Sequence, residues 1–225
     1  MHEPGVVEKH YHHQRQKRID YIYRLNRRTD EVKRVIKKNF SNYSDLNCLD
    51  IGTADGLMLS KLNKIFKFNQ AIGIDMSQDL IDTNKDPNIQ LKLGDAANLE
   101  FANNSFHVII IISAIDHLED PHKVLKECFR ALKDDGIVIL TVANPWHDNM
   151  SEMFGYTPSE EHNEKFTLKK LEAILRDSNF KVVKSKYFML FPFFKIPFEK
   201  QYENFLSRIG LGKIMCNQLI VGKKF

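Results

Sequence analysis

The sequence predicts an α/β domain built on a mostly parallel sheet, and three observations carry that prediction. From Leu46 onwards, apolar runs of strand length alternate with amphipathic stretches of helix length. One run, Val108–Ile115 (VIIIISAI), is apolar almost throughout, as a strand buried on both faces must be. The last two strand-like stretches have no regular helical crossover between them, which puts an antiparallel edge on an otherwise parallel sheet. Together these give a Rossmann-like, seven-stranded, mostly parallel sheet with an antiparallel C-terminal strand and helices on both faces.

Each element follows from its own pattern. The first strand is LNCLDI, Leu46–Ile51, with a helix after it from about Leu57 to Phe66. The second strand is QAIGID, Gln70–Asp75, followed by a helix over Gln78–Asn84, and the third is IQLKLGD, Ile89–Asp95. The fourth is HVIIIISA, His107–Ala114, with Pro121–Leu132 as the next helix, and the fifth is GIVILTVA, Gly136–Ala143. Lys169–Asp177 is helical, with Leu171, Ile174 and Leu175 on one face. Phe180–Leu190 and Cys216–Phe225 read as the closing strands. Before this core, apolar Ile19, Ile22, Tyr23, Val32, Val35 and Ile36 recur at helical spacing up to about Lys38. The expected organisation is an N-terminal helical cap over residues 1–45 and a ligand-binding domain over 46–225, with a lid or insertion at 191–213.

The 225 residues are 43 % apolar and 28 % charged, which excludes disorder as the default. The longest apolar run is too short to cross a bilayer, and the polar N-terminus is unlike a signal peptide, so a cytoplasmic chain is expected. The three cysteines, Cys48, Cys128 and Cys216, lie far apart and form neither a disulfide framework nor a metal-ligand pattern. The net charge of +4 is uneven, because the first forty residues carry eleven Lys and Arg against five acids. That segment is expected to be the solvated face of a helix, with contact to nucleic acid or an anionic surface as the other reading.

The strongest chemical signal is LDIGTADG, Leu49–Gly56, where a strand turns into a helix. Gly52 permits a tight turn, Ala54 is small, and Gly56 lets the backbone pass close to a ligand. Asp50, two residues before the first glycine, opposes a pyrophosphate and suits a cofactor with an α-amino group and no phosphates. Asp75 ends the second strand, where a carboxylate can accept hydrogen bonds from two ribose hydroxyls. Asp95 follows the third, where a carboxylate can take an adenine amine while the Ala96 N–H meets a ring nitrogen. Three carboxylates at the carboxyl ends of successive strands fall where an open α/β sheet binds its ligand.

On LDIGTADG, IGIDMS, LGDAANLEF and FHVIIIISAIDHLEDPHKVLKECFRALKDDGIVILTV, together with the closing hairpin, the chain resembles the class I S-adenosylmethionine-dependent methyltransferases over about residues 46–190. The resemblance implies that Asp50, Gly52 and Gly56, with Thr53 and Ala54 between them, flank the methionine moiety. It places Asp75 and Met76 at the ribose, Asp95 and Ala96 at the adenine, and Ser113 beside the sulfonium. Ala54 stands where the family's middle glycine is usual, and Phe106-His107 stands for the common Phe-Asp pair at the start of the fourth strand.

Transfer of a methyl group mainly requires alignment and exclusion of water, and a hydroxyl acceptor also needs a base. Asp116-His117 directly follows the fourth strand, His147 follows the fifth, and His162 lies in EEHNEKFTLKKLEAIL, a block similar to that of methyltransferases acting on small hydroxylated substrates. Asn144-Pro145-Trp146 sits after the wrong strand to serve as an amide-nitrogen motif. No metal-ligand spacing is visible. The expected acceptor is a small molecule, with an apolar one compatible, methylated at a hydroxyl or carbon rather than on a nucleobase, and a homodimer is compatible with the sequence. The aromatic cluster from Tyr187 to Phe205 is expected to form core beneath an insertion or a dimer contact, with a lid or membrane-proximal face as the alternative.

Overall fold

The structure, a computed structural model, describes residues 18–146 and 165–225. Seven strands form one sheet in the order β3-β2-β1-β4-β5-β7-β6. They are β1 (Asn47–Ile51), β2 (Gln70–Asp75), β3 (Gln90–Leu93), β4 (Phe106–Ile112), β5 (Leu132–Ala143), β6 (Lys181–Phe188) and β7 (Asn217–Lys223). Strands β1 to β5 are mutually parallel, and β7 lies antiparallel between β5 and β6. The fold class read from the sequence is therefore the one observed.

The helices are α1 (Ile19–Asn39), α2 (Leu57–Phe66), the short α3 (Gln78–Ile81), α4 (Pro121–Ala131), α5 (Leu168–Asp177) and α6 (Glu199–Arg208). Local chemistry sets several of their starts. Asp120 accepts a hydrogen bond from the Lys123 N–H at the head of α4, and Pro121 occupies the first helical position, where its missing N–H costs nothing. Thr167 caps α5 in the same way through Lys170 N–H. Helix α6 lies inside the 191–213 segment expected as a lid or insertion, after Pro192 and Pro197.

The core has two layers. On one face, Leu49, Ile51, Ile109, Ile111, Val138 and Leu140 pack against α4 and α5. On the other, Cys48, Val108, Ile110, Ile137 and Ile139 meet α1 and α2 through Val32, Val35, Ile36, Leu59 and Leu62. Ile109, Ile110 and Ile111 are fully buried, each stabilising the fold by about 1.5–3 kcal/mol relative to exposure. All three cysteines are buried and free.

Strand direction decides what meets at the carboxyl edge of the sheet. Because β7 is antiparallel to both neighbours, β6 runs the same way as β5, and Phe188, Asn217 and Ala143 lie at one level. Helix α1 descends from that edge: Arg28 reaches Asn217 at the start of β7, and Glu31 reaches Lys186 two residues before the end of β6.

The solvated basic face expected for α1 holds for Arg18, Lys37 and Lys38, which are exposed, but not for Arg27. Arg27 and Glu31 are buried, at 5 % and 1 % exposure. Arg27 bonds Glu203 at 2.5 Å and Glu199 at 3.2 Å, and Glu31 takes Arg34 and Lys186. Burial opposes ionisation of Glu31, but Lys186, Arg34 and Arg27 together hold its carboxyl below the usual range. The aromatic cluster also departs from the core expected for it. Phe188 is buried, whereas Phe191, Phe193, Phe194, Phe198, Tyr202 and Phe205 are all exposed.

Candidate active site

The turn after β1 is shaped by glycines. Gly52 has φ +69°, and its N–H and that of Thr53 both donate to Ile74 O, folding the turn over β2. A Cβ on Gly52 would stand 2.5 Å from the Ala114 Cβ, so the chain leaving β4 abuts this turn. Gly56 has φ +74° at the head of α2, and a Cβ there would meet Ile89 at 2.7 Å. Ala54 adopts φ +51°, a left-handed conformation that disfavours a side chain, and this explains the glycine usual at that place in the family.

Asp50 and Asp75 stand on either side of the turn. Asp50 is 3 % exposed, and its Oδ2 accepts from the Thr53 hydroxyl at 2.8 Å. Burial pushes its pKa up to about 7, Asp75 and Asp55 add to the rise, and the Thr53 bond opposes it. Asp75 accepts the Ala54 N–H at 2.8 Å on one oxygen and the Ser77 N–H at 2.9 Å on the other. A carboxylate has about four lone-pair sites, so one on each oxygen stays open to a ligand hydroxyl.

Gly73, in the middle of β2, is a supporting residue that the sequence reading passed over. A Cβ there would fall 2.6 Å from Thr53 Oγ1, so its bareness lets Thr53 reach Asp50. An isolated glycine inside a strand pattern was the available signal.

The other predicted residues take definite places. Met76 is exposed immediately after Asp75. Asp95 is exposed, with Oδ1 accepting the Ala97 N–H at 2.8 Å and Oδ2 the Asn98 amide at 2.5 Å, while Ala96 is buried. Ser113 has φ +53°, its N–H donates to Thr141 O, and its Oγ is buried with no partner among the described residues. Asp116 and His117 lie on the short 3-10 turn Ile115–His117, with Asp116 Oδ1 4.0 Å from His117 Nε2. His147 and His162 lie outside the described residues. His107, from the pair that opens the fourth strand, accepts the Asn47 N–H on Nδ1 at the amino end of the sheet, far from these groups.

Asn144 is committed to structure. Its amide donates to Lys213 O and Met215 O, both at 2.7 Å, tying the end of β5 to the approach to β7. Among the described residues no cluster of His, Cys, Asp and Glu could hold a metal ion. No described helix is long and apolar enough to cross a membrane.

The arrangement fits a cationic, phosphate-free ligand. Burial above all, with Asp75 and Asp55 adding to it, raises the Asp50 pKa, so an ammonium beside it would relieve the site, whereas a pyrophosphate would add to the repulsion. The unpartnered Ser113 hydroxyl and the open lone pairs of Asp75 supply polar groups along the same edge.

Comparison with known proteins agrees. Residues 11–185 match the family described as a methyltransferase domain, and the chain belongs to that family. It is 34 % identical over 110 residues to a demethylmenaquinone methyltransferase of Lactobacillus johnsonii, covering 45 % of this chain and 43 % of that protein. It is 25 % identical over 121 residues to the mitochondrial ubiquinone biosynthesis O-methyltransferase of Saccharomyces cerevisiae, covering 51 % and 39 %. The chain thus spans about two fifths of the length of these two curated relatives. In fold it is similar to phosphoethanolamine N-methyltransferase 2 of Haemonchus contortus in complex with S-adenosyl-L-methionine. The TM-score is 0.61 at 19 % identity, covering 87 % of this chain and 52 % of that one. S-adenosylmethionine is the cofactor of this family.

Proposed function

We propose that this chain transfers the methyl group of S-adenosylmethionine to a small-molecule acceptor, at a hydroxyl oxygen or a carbon. The observation that carries the reading is the contact of the β4 exit with the glycine turn. Ala114 fills the space that a side chain on Gly52 would need, so the chain between Ser113 and Asp116 passes against the glycine turn at Ala114. The names of the two curated relatives support an acceptor of the quinone-precursor kind.

When bound, S-adenosylmethionine supplies an electrophilic methyl on a sulfonium. The chain's own residues orient and exclude. Asp50 holds the amino group of the methionine moiety, with Gly52, Thr53, Ala54 and Gly56 giving the backbone close approach. Asp75 takes the ribose hydroxyls beside Met76, Asp95 and Ala96 the adenine, and Ser113 lines the sulfonium. Positioning of this kind provides much of the rate in an in-line displacement. For a hydroxyl acceptor, His117 takes the proton, with Asp116 Oδ1 4.0 Å from its Nε2. His162 is the alternative base. Two of the basic residues that an RNA acceptor could use, Arg27 and Arg34 of α1, are engaged with buried glutamates.

The test is transfer of labelled methyl from S-adenosylmethionine into a metabolite extract, with and without RNA. Label should enter an extractable small molecule. Label chiefly in RNA, or in nothing, contradicts the proposal. His117→Ala should lower kcat about 100-fold while leaving cofactor affinity unchanged.

A further inference from the structure

The segment between β6 and β7, residues 189–213, lies beyond the stretch matched by the family and is not used by the chemistry above. Both of its ends attach at the carboxyl edge of the sheet, because Phe188 and Asn217 stand level with Ala143. It therefore projects from the same edge as the site.

Its outer surface is unusual in two respects. Phe193, Phe194, Phe198 and Phe205 are 56–69 % exposed, with Tyr202 and Ile209 beside them at 51 % each. Isolated exposed apolar residues need no explanation, but Phe198, Tyr202, Phe205 and Ile209 recur at helical spacing along α6 and Phe191 stacks on Phe194 at 5.7 Å, and a grouping of bulky aromatics marks a surface that is covered in use. Its charges are also sorted by sign. The two acids of the segment, Glu199 and Glu203, are each 5 % exposed and turned inward onto Arg27 of α1. Lys195, Lys200, Arg208 and Lys213 are exposed. The outside is thus aromatic and cationic, with its acids withdrawn.

We propose that this face docks on the surface of an anionic lipid bilayer, with the mouth of the site turned toward the membrane. Aromatic rings suit the interfacial region, where an apolar body and a hydrated environment meet, and surrounding cations are attracted to acidic headgroups. A second copy of the chain is a poorer match. A two-fold interface would lay the patch on itself and bring like cations face to face. Docking would also give the site access to acceptors dissolved in the bilayer. It does not depend on methyl transfer, since membrane binding is read without cofactor.

The experiment is co-sedimentation of the full chain with vesicles of phosphatidylcholine alone and with about 30 % phosphatidylglycerol, at low and high salt. Binding should require phosphatidylglycerol and weaken strongly between about 0.1 M and about 1 M salt. Lys195→Ala combined with Lys200→Ala should lower the partition coefficient about 25-fold, at about fivefold per cation. Phe193→Ser with Phe194→Ser and Phe205→Ser should abolish binding while leaving the thermal melt unchanged. Binding that is absent, or equal on both vesicle types, overturns the proposal. So does a folded aromatic variant that binds like the parent, or self-association lost in that variant without vesicle binding in the parent. If the variants fail to fold, the lipid and salt dependence of the parent chain decides alone.

Discussion

The two sides of the sheet's carboxyl edge are built by different means. On the side of β1 and β2, groups of like charge are set close together and held by hydrogen bonds from the glycine turn and the start of the next helix. Asp75 is fixed by the N–H groups of Ala54 and Ser77, and Asp50 by Thr53 within its own turn. On the side of β7 and β6, opposite charges join segments far apart in the chain. Arg27 meets Glu203 across 176 residues, and Glu31 meets Lys186. The first side is electrostatically unfavourable when empty and is relieved by a cationic ligand. The second is satisfied internally and holds α1, α6 and β6 together. The difference separates residues arranged for binding from residues arranged for stability.

The largest effect should come from breaking the second side. Arg27→Met leaves Glu199 and Glu203 buried without their cation and should cost about 3–5 kcal/mol in urea unfolding, with little change in the site's intrinsic preference for ligands. A loss below about 1 kcal/mol would mean the network is solvated and the contrast is false.

Next in size is Asp75→Ala, which should weaken S-adenosylmethionine binding by about 100-fold, as expected for two lost hydrogen bonds to a charged acceptor. Unchanged affinity in calorimetry would remove Asp75 from the ribose.

Asp50 sharpens the comparison in the opposite direction. Its carboxyl ionises near the ordinary 3.8 when unfolded and at about 7 when folded. The folded state therefore holds an extra proton between these values, and stability falls as pH rises from about 4 to 7. Asp50→Asn should remove that penalty and raise the stability of the unliganded chain at pH 8 by about 1–3 kcal/mol, while weakening cofactor binding. A destabilised Asp50→Asn would show that the carboxylate serves the fold.

The smallest effect is on pH dependence. An ammonium requires the ionised carboxylate, so affinity for S-adenosylmethionine should be about tenfold weaker at pH 6 than at pH 8. A flat profile would place the amino group elsewhere.

The two sides also differ in how far the sequence discloses them. The Asp50 to Gly56 turn is legible because its residues are adjacent and each answers a local demand: a left-handed φ, a close approach, a carboxylate at a strand end. Strands β1, β2 and β4 are legible for the same reason, as unbroken apolar runs with turn signals. The Arg27–Glu199–Glu203 cluster is not. In sequence, its charges look like those of any solvated helix, and only the packing of α1 on α6 shows that they are buried. The exposed aromatics are illegible for a related reason. Phe66, Phe68, Phe106, Phe166, Phe180 and Phe188 are buried whereas Phe193, Phe194, Phe198 and Phe205 are exposed, and composition does not tell the two sets apart. Gly73 shows an intermediate case, a local signal whose meaning appears only when Thr53 is seen beside it.

We propose that the carboxyl ends of β1 and β2 form the binding site for S-adenosylmethionine. The most direct measurement is calorimetric titration of the full chain with S-adenosylmethionine, S-adenosylhomocysteine and NAD. The account predicts binding of the first two and none of NAD, whose pyrophosphate would face Asp50, Asp55 and Asp75. Tight NAD binding, or no binding of S-adenosylmethionine, would contradict it.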